Sequence, residues 1–281
     1  MNNLQTKCEL LSLDLDGTLL KTATSKAQNG DRFAIQEMMD SGTKVIINSG
    51  RPPWRTLPAI KQIDSAGKNK IQYMSCLNGT YIQDLISGEV ISNPLSDELT
   101  RKIIELLKPK RNIYLWLYTV KGIQDKVIKM TPYLLLFNFL TNRGNIKNIV
   151  AGDDLTTYKV DLLFPFKSTC TKTYNFLINC YLKDQIRVTK TGDRIIEITQ
   201  KNISKSFAIE YVAKQFNIQK QNIVSMGDTP NDLEAFKASG VTFGIKPKNK
   251  ALYQYCNYVI DTKTNGVAKA IHKYLLKKET R

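Results

Sequence analysis

Histidine is almost absent: among 281 residues the single one is His272, inside a Lys-rich C-terminal stretch. A catalytic histidine dyad and a multi-histidine metal centre are therefore close to excluded. Cysteine is scarce and scattered. Cys8, Cys76, Cys170, Cys180 and Cys256 are odd in number and include no C-x-x-C pair, which argues against a disulfide framework and a structural zinc site. Long apolar runs are missing too. The most apolar stretch, Tyr133 to Leu140, is interrupted by Asn138 and is far short of the ~20 residues a membrane helix needs. The first residues lack the charged start and apolar run of a signal peptide, so the chain is expected to be soluble and cytoplasmic.

Acidic residues are in deficit, with 25 Asp and Glu against 41 Lys and Arg, a formal net charge of +16. That balance favours acidic partners such as nucleic acid, anionic membrane or phosphorylated metabolites, and says nothing about fold. No recognised nucleic-acid motif accompanies it, so specific nucleic-acid binding is not expected. What is present is ordinary globular composition, 42% hydrophobic and 23% charged, enough for one large or two moderate domains.

The pattern along the chain is strand, helix, strand, helix, strand up to about residue 81. Strands are expected at Glu9–Asp14, Lys44–Asn48 and Gln72–Cys76, with helices around Arg32–Met39 and Thr56–Ile63. This alternation predicts an α/β fold, a doubly wound, Rossmann-like parallel sheet. From residue 82 to 198 the rhythm becomes mixed α+β, with helices around Leu99–Leu107 and Thr173–Leu182. Strands there are expected at Ile113–Tyr118, Tyr158–Phe164, Ile186–Thr189 and Arg194–Thr199. The βα rhythm then returns with a helix at Ser204–Phe216, a strand at Asn222–Met226 and a helix at Pro230–Ala238. Strands at Val241–Phe243 and Tyr258–Ile260 and a helix at Gly266–Leu276 complete it. The expected division is a catalytic core of residues 1–81 and 199–281 with an inserted domain of residues 82–198.

Chemistry is concentrated at Asp14-Leu15-Asp16-Gly17-Thr18-Leu19, at the carboxyl end of a buried strand, where open α/β sheets bind ligands. Carboxylates at i and i+2 on an extended segment point the same way and repel unless a cation sits between them. A hard cation such as Mg²⁺ suits such oxygen ligands. After this segment come Ser49-Gly50-Arg51 at the end of the second strand, Lys205 opening the helix that follows the insertion, and Gly227-Asp228-Thr229-Pro230-Asn231-Asp232. A lysine at a helix N-terminus adds charge neutralisation to an already favourable anion site.

D-x-D-G-T-L after an apolar strand, followed in order by these elements, resembles the haloacid dehalogenase superfamily. The resemblance covers essentially the whole chain. It implies a Mg²⁺-dependent phosphatase with Asp14 as nucleophile and Asp16 as general acid and base. Ser49 and Gly50 would bind the phosphoryl group, Asn231 would touch it, and Lys205 would balance charge. The metal would be held by Asp14, the Asp16 main-chain carbonyl and Asp228, with Asp232 holding a metal water or orienting Lys205. The insertion resembles the large α/β cap of the Cof-like branch, as do Leu77-Asn78-Gly79 before it, Ile196-Glu197-Ile198 near its exit and the late Asn265-Gly266-Val267-Ala268. Such a cap implies closure over the site. Ser49 stands where most relatives carry Thr, and Lys246-Pro247 stands where they usually show an asparagine-alanine pair.

The function expected is hydrolysis of a small phosphorylated metabolite, a sugar phosphate, through an aspartyl-phosphate. The alternatives are a sugar-phosphate mutase, a regulatory protein that binds phosphate ligands, and a nucleic-acid-associated role suggested by the charge. Lys190, Asp193 and Arg194 are candidate substrate contacts in the cap.

Overall fold

The structure, a computed structural model, describes residues 7–21, 26–110, 113–119, 122–127, 147–148, 154–247, 250–262 and 264–276. The apolar stretch 133–140 lies outside them. The chain divides into two compact units, Met1–Ile91 with Ser204–Arg281, and Ser92–Ile203.

In the first unit, strands β1 (Leu10–Leu13), β2 (Lys44–Asn48), β3 (Tyr73–Cys76), β4 (Tyr81–Asp84) and β5 (Val90–Ser92) come from the first half of the chain. Strands β12 (Ile223–Gly227), β13 (Val241–Ile245) and β14 (Tyr258–Ile260) come from the second. Among the described residues they form an eight-stranded sheet ordered β14-β13-β12-β1-β2-β3-β4-β5. Pairing is parallel from β14 to β3, and β4 returns antiparallel to β3. All four residues of β1 are buried, as a central parallel strand covered on both faces requires. Leu10, Ile46 and Tyr73 pack under Ala208, Ile209 and Val212 of helix α5 (Lys205–Gln215) and Ala235 of α6 (Leu233–Lys237). Helix α1 (Asn29–Asp40) packs on α2 (Pro53–Asp64) and α8 (Gly266–Ala270), and the short α7 (Lys250–Tyr253) lies between β13 and β14 in the chain. This is the doubly wound core expected from the alternation.

The second unit contains β6 (Tyr114–Thr119), β7 (Gly122–Val127), β8 (Lys147–Asn148), β9 (Lys159–Leu163), β10 (Ile186–Lys190) and β11 (Ile195–Gln200). They pair in the order β10-β11-β9-β6-β7-β8, antiparallel except for β7 with β8. Helices α3 (Asp97–Leu107) and α4 (Lys167–Leu177) cover one face, where Ile103, Leu107, Cys170 and Leu177 meet Leu115, Leu117, Val160, Leu162, Ile196 and Ile198.

Three details differ from the sequence reading. The crossings between units fall at Ile91/Ser92 and Ile203/Ser204 where the sequence places them at residues 81/82 and 198/199, because β4 and β5 continue the core sheet. Helix α4 spans Lys167–Leu177, not Thr173–Leu182, and Cys180 to Gln185 fold in turns bonded back to Leu177, Cys180 and Leu182. The expected helix at Pro230–Ala238 begins as a 3₁₀ turn, Pro230–Asp232, because the Asp232 carboxylate caps the chain tightly there.

Candidate active site

Parallel strands bring their carboxyl ends to one edge, and the sequence elements singled out above sit there. Asp14 follows β1 and is pinned across to β12 by its N–H donating to Met226 O at 3.1 Å. Lys205, the first residue of α5, reaches between two carboxylates. Its Nζ donates to Asp14 Oδ1 at 2.6 Å and to Asp232 Oδ1 at 2.5 Å. All three residues are buried. The Lys205 main chain is tied to the sheet by Asn48 Nδ2, which donates to Lys205 O at 2.8 Å.

The loop after β12 is organised by Asp232. Its Oδ2 accepts from the Asp228 and Thr229 N–H groups, both at 3.0 Å, so a buried charge is satisfied by backbone donors and Lys205 together. Asp228 is fully buried, and Thr18 Oγ1 donates to its Oδ1 at 3.4 Å. Asp14, Asp228 and Asp232 each place a carboxylate oxygen within 4.8 Å of the others. The three carry three formal negative charges against one on Lys205. Burial pushes the Asp14 carboxyl up to about 8; the Lys205 ammonium opposes this, while Asp232 and Asp228 add to it. Burial pulls Lys205 down, but the Asp14 and Asp232 carboxylates outweigh it and leave its ammonium raised.

Gly17 shows how closely the chain wraps this cluster. It takes φ +94°, and a Cβ there would lie 2.0 Å from Asp228 Oδ2. An all-oxygen, net-negative, tightly backed donor set fits a hard cation, for which buried like charges must be neutralised.

The phosphate-loop residues lie at the end of β2. Ser49 is buried; its N–H donates to Ser75 O at 2.9 Å, and its Oγ accepts from the Arg51 N–H at 3.1 Å. The Ser49 hydroxyl hydrogen can therefore be donated elsewhere. A Cβ on Gly50 would lie 3.0 Å from Asn78 Oδ1 and 3.9 Å from Asn231 Nδ2, so these two amides flank the loop. Asn231 also accepts from Thr229 Oγ1.

Asp14, Asp16, Ser49, Gly50, Lys205, Asp228, Asn231 and Asp232 thus all lie at the carboxyl edge of the first unit's sheet. Two features were missed. The Asp16 carboxylate does not join the other three; Arg51 holds it through Nε to Oδ2 at 2.6 Å and a terminal nitrogen to Oδ1 at 2.5 Å. The adjacency of β1 and β2 in a doubly wound sheet is the signal that could have found it. Asn48 was the second. The cap candidates are engaged within their own unit: Lys190 Nζ donates to Thr171 Oγ1 at 2.9 Å, Asp193 pairs with Lys167 at 2.9 Å, and Arg194 O accepts from Phe164 N–H. Among the described residues no helix is long and apolar enough to cross a membrane.

An α/β sheet with a carboxylate cluster and a buried lysine at its carboxyl edge defines a phosphoryl-transfer class of enzyme. The model of the haloacid dehalogenase-like hydrolases matches residues 11–271, and the chain belongs to that family. It is a Cof-like phosphatase by class. Two Bacillus subtilis proteins named 5-amino-6-(5-phospho-D-ribitylamino)uracil phosphatase are similar to it. YwtE is 26% identical, covering 96% of this chain and 98% of its own, and YcsE is 24% identical, covering 95% and 96%. Among solved structures, BT1666 of Bacteroides thetaiotaomicron, described as a phosphatase of this superfamily, superposes with a TM-score of 0.76. It is 20% identical, with 96% of each chain covered. The subclass IIB sugar phosphatase BT4131 gives a TM-score of 0.71 at 16% identity, with 94% of this chain and 97% of that one covered.

Proposed function

We propose that this chain is a Mg²⁺-dependent phosphomonoesterase that hydrolyses a sugar phosphate or a phosphorylated polyol chain through an aspartyl-phosphate. The observation that carries this reading is the buried Asp14–Lys205–Asp232 chain beside Asp228, with bonds of 2.6 and 2.5 Å. Lys205 fixes the rotamer of Asp14 and offsets charge as a phosphoryl dianion approaches. An Asp14 carboxylate oxygen attacks phosphorus, and the O–P bond forms as the bond to the leaving oxygen breaks. Asp16 gives its proton to that oxygen, the leaving alcohol departs, and Asp16 then takes a proton from the water that splits the acyl-phosphate. Two easier steps replace one hard one. The Ser49 hydroxyl and the Gly50 and Asn231 groups hold the phosphoryl oxygens, which is positioning and electrostatic work.

Asp14, the Asp16 main chain and Asp228 are the groups that would hold Mg²⁺, which would supply charge neutralisation for the carboxylates and the phosphoryl group. The polyol part of the reading is supported by the names of the Bacillus relatives, and the sugar part by the description of BT4131. We place the protein in the cytoplasm, acting on a small metabolite and on neither nucleic acid nor membrane.

Phosphate release over a panel of sugar phosphates, polyol phosphates including 5-amino-6-(5-phospho-D-ribitylamino)uracil, nucleotides and pyridoxal phosphate tests this reading. Release from sugar or polyol esters, abolished by Asp14→Asn and by exhaustive chelation, is the expected result. Turnover surviving either treatment overturns the assignment.

A further inference from the structure

The turn Leu77-Asn78-Gly79 follows β3 at the carboxyl edge of the first unit's sheet, and its backbone is strained. Three successive residues take left-handed conformations, with φ of 53°, 61° and 95°. Glycine does this freely and asparagine with little penalty. Leucine does not, and Leu77 is buried. A left-handed residue bearing a Cβ costs roughly 1–2 kcal/mol, and such conformations persist where surrounding contacts hold them.

Those contacts point to one task. The Leu77 N–H donates to Arg51 O at 3.0 Å, and the Asn78 N–H donates to Ser49 O at 3.1 Å. Both flanks of Gly50 are therefore clamped by the turn. On its other side the turn presses on the start of α5: a Cβ on Gly79 would lie 2.2 Å from Ser204 O and 3.6 Å from Lys205 N. Thr80 Oγ1 closes the turn onto Leu77 O at 3.0 Å. One strained turn thus bridges the loop carrying Ser49 and Gly50 to the residue carrying the Nζ that holds Asp14.

We propose that Asn78 is a positioning residue for phosphoryl transfer, whose left-handed backbone sets the Ser49–Gly50 donors and Lys205 in register with Asp14. This rests on the phosphomonoesterase reading above. The work falls to its backbone conformation, so variants should rank by how easily they turn left-handed.

The test is a series at one position, Asn78→Gly, Asn78→Ala and Asn78→Val, in the full-length enzyme. Turnover of p-nitrophenyl phosphate, inhibition by orthovanadate as a trigonal-bipyramidal probe, and melting temperature are measured together. Asn78→Gly should lose least. Asn78→Ala should lose about tenfold in kcat, the rate equivalent of its left-handed penalty, and Asn78→Val more. KM should change little, and vanadate affinity should weaken in the same order as kcat. Equal loss for Gly, Ala and Val overturns the proposal in favour of a side-chain contact. Loss of melting temperature in the folded variants with unchanged vanadate affinity reduces the turn to scaffolding and also overturns it. Asp14→Asn run in parallel separates the two readings: if it stays active the phosphomonoesterase mechanism fails, whereas if it alone is inactive only the role of Asn78 fails.

Discussion

Arg51 and Asp16 form a two-pronged ion pair, with nitrogen–oxygen distances of 2.6 and 2.5 Å. The Arg51 side chain is 13% exposed and that of Asp16 46%, so the carboxylate is held from its protein side and open on the other. A partly exposed pair adds ~1 kcal/mol or less to stability. Its consequence is geometric: it fixes where the Asp16 carboxylate stands.

Arg51→Ala should therefore leave the melting temperature nearly unchanged while lowering kcat for sugar phosphates by roughly ten- to a hundredfold, within the usual worth of acid–base catalysis. Arg51→Lys should not restore the rate, because a point charge cannot make two parallel bonds. Steady-state kinetics with sugar phosphates and with p-nitrophenyl phosphate, whose leaving group needs no proton, checks this. The loss should be smaller with the latter.

Gly17→Ala should damage metal binding more than folding. The new methyl would need the space that Asp228 Oδ2 occupies, 2.0 Å away, at a backbone φ of +94°. Either the turn or the Asp228 carboxylate must shift. Calorimetric titration with Mg²⁺ should show affinity at least tenfold weaker, with circular dichroism unchanged. Native affinity in the alanine variant would mean that this backbone is not part of the cation's cradle.

Asp31 gives a pH signature independent of the site. It lies in the first turn of α1 and caps α8, with Oδ1 accepting the Ala268 N–H at 2.8 Å. Burial raises its carboxyl to about 6 against the ordinary 3.8, although that N–H and the Val267 N–H pull the other way. Between pH 4 and 6 the unfolded chain gives up this proton before the folded one does. Asp31 therefore lowers stability as pH rises through that window, by an amount on the order of 2–3 kcal/mol, complete above about pH 6. Asp31→Asn keeps an acceptor for Ala268 and cannot ionise. Its melting temperature should exceed that of the parent at pH 8 and match it at pH 4. Parallel pH profiles for the two proteins would refute this.

How far the sequence can be read depends on the range of the interaction involved. The β1 strand and the D-x-D-G-T-L turn are local: four consecutive buried residues and a left-handed glycine are written in adjacent letters. The order of the βα units then carries Lys205 and Asp228 to the same edge as Asp14. Helix α4 was harder, because Lys167–Thr171 is a weak helix-forming run. Cys170, Thr173 and Leu177 are buried at helical spacing, whereas the later Leu182 is buried from a turn. The Arg51–Asp16 pair needs two loops to meet, and the left-handed Leu77 runs against its own preference. Tertiary contacts decide both, and no local pattern encodes them.

The two carboxylates of the first motif should separate by role. Asp14→Asn removes the attacking oxygen while keeping a side chain able to accept from Lys205, so neither acyl-phosphate nor turnover should form, and the fold should persist. Asp16→Asn keeps the nucleophile and its lysine, 2.6 Å apart, but removes the proton carrier and one partner of Arg51. With a sugar alcohol as leaving group, phosphorylation should slow by ~10²–10⁴-fold, the range expected for a lost acid–base group. With p-nitrophenolate, which departs unprotonated, that step should suffer less. Hydrolysis would still lack its base, so phosphate should build up on Asp14 and be trapped by acid quench and mass spectrometry. Equal loss with both leaving groups and no trapped adduct would demote Asp14 from nucleophile to ligand.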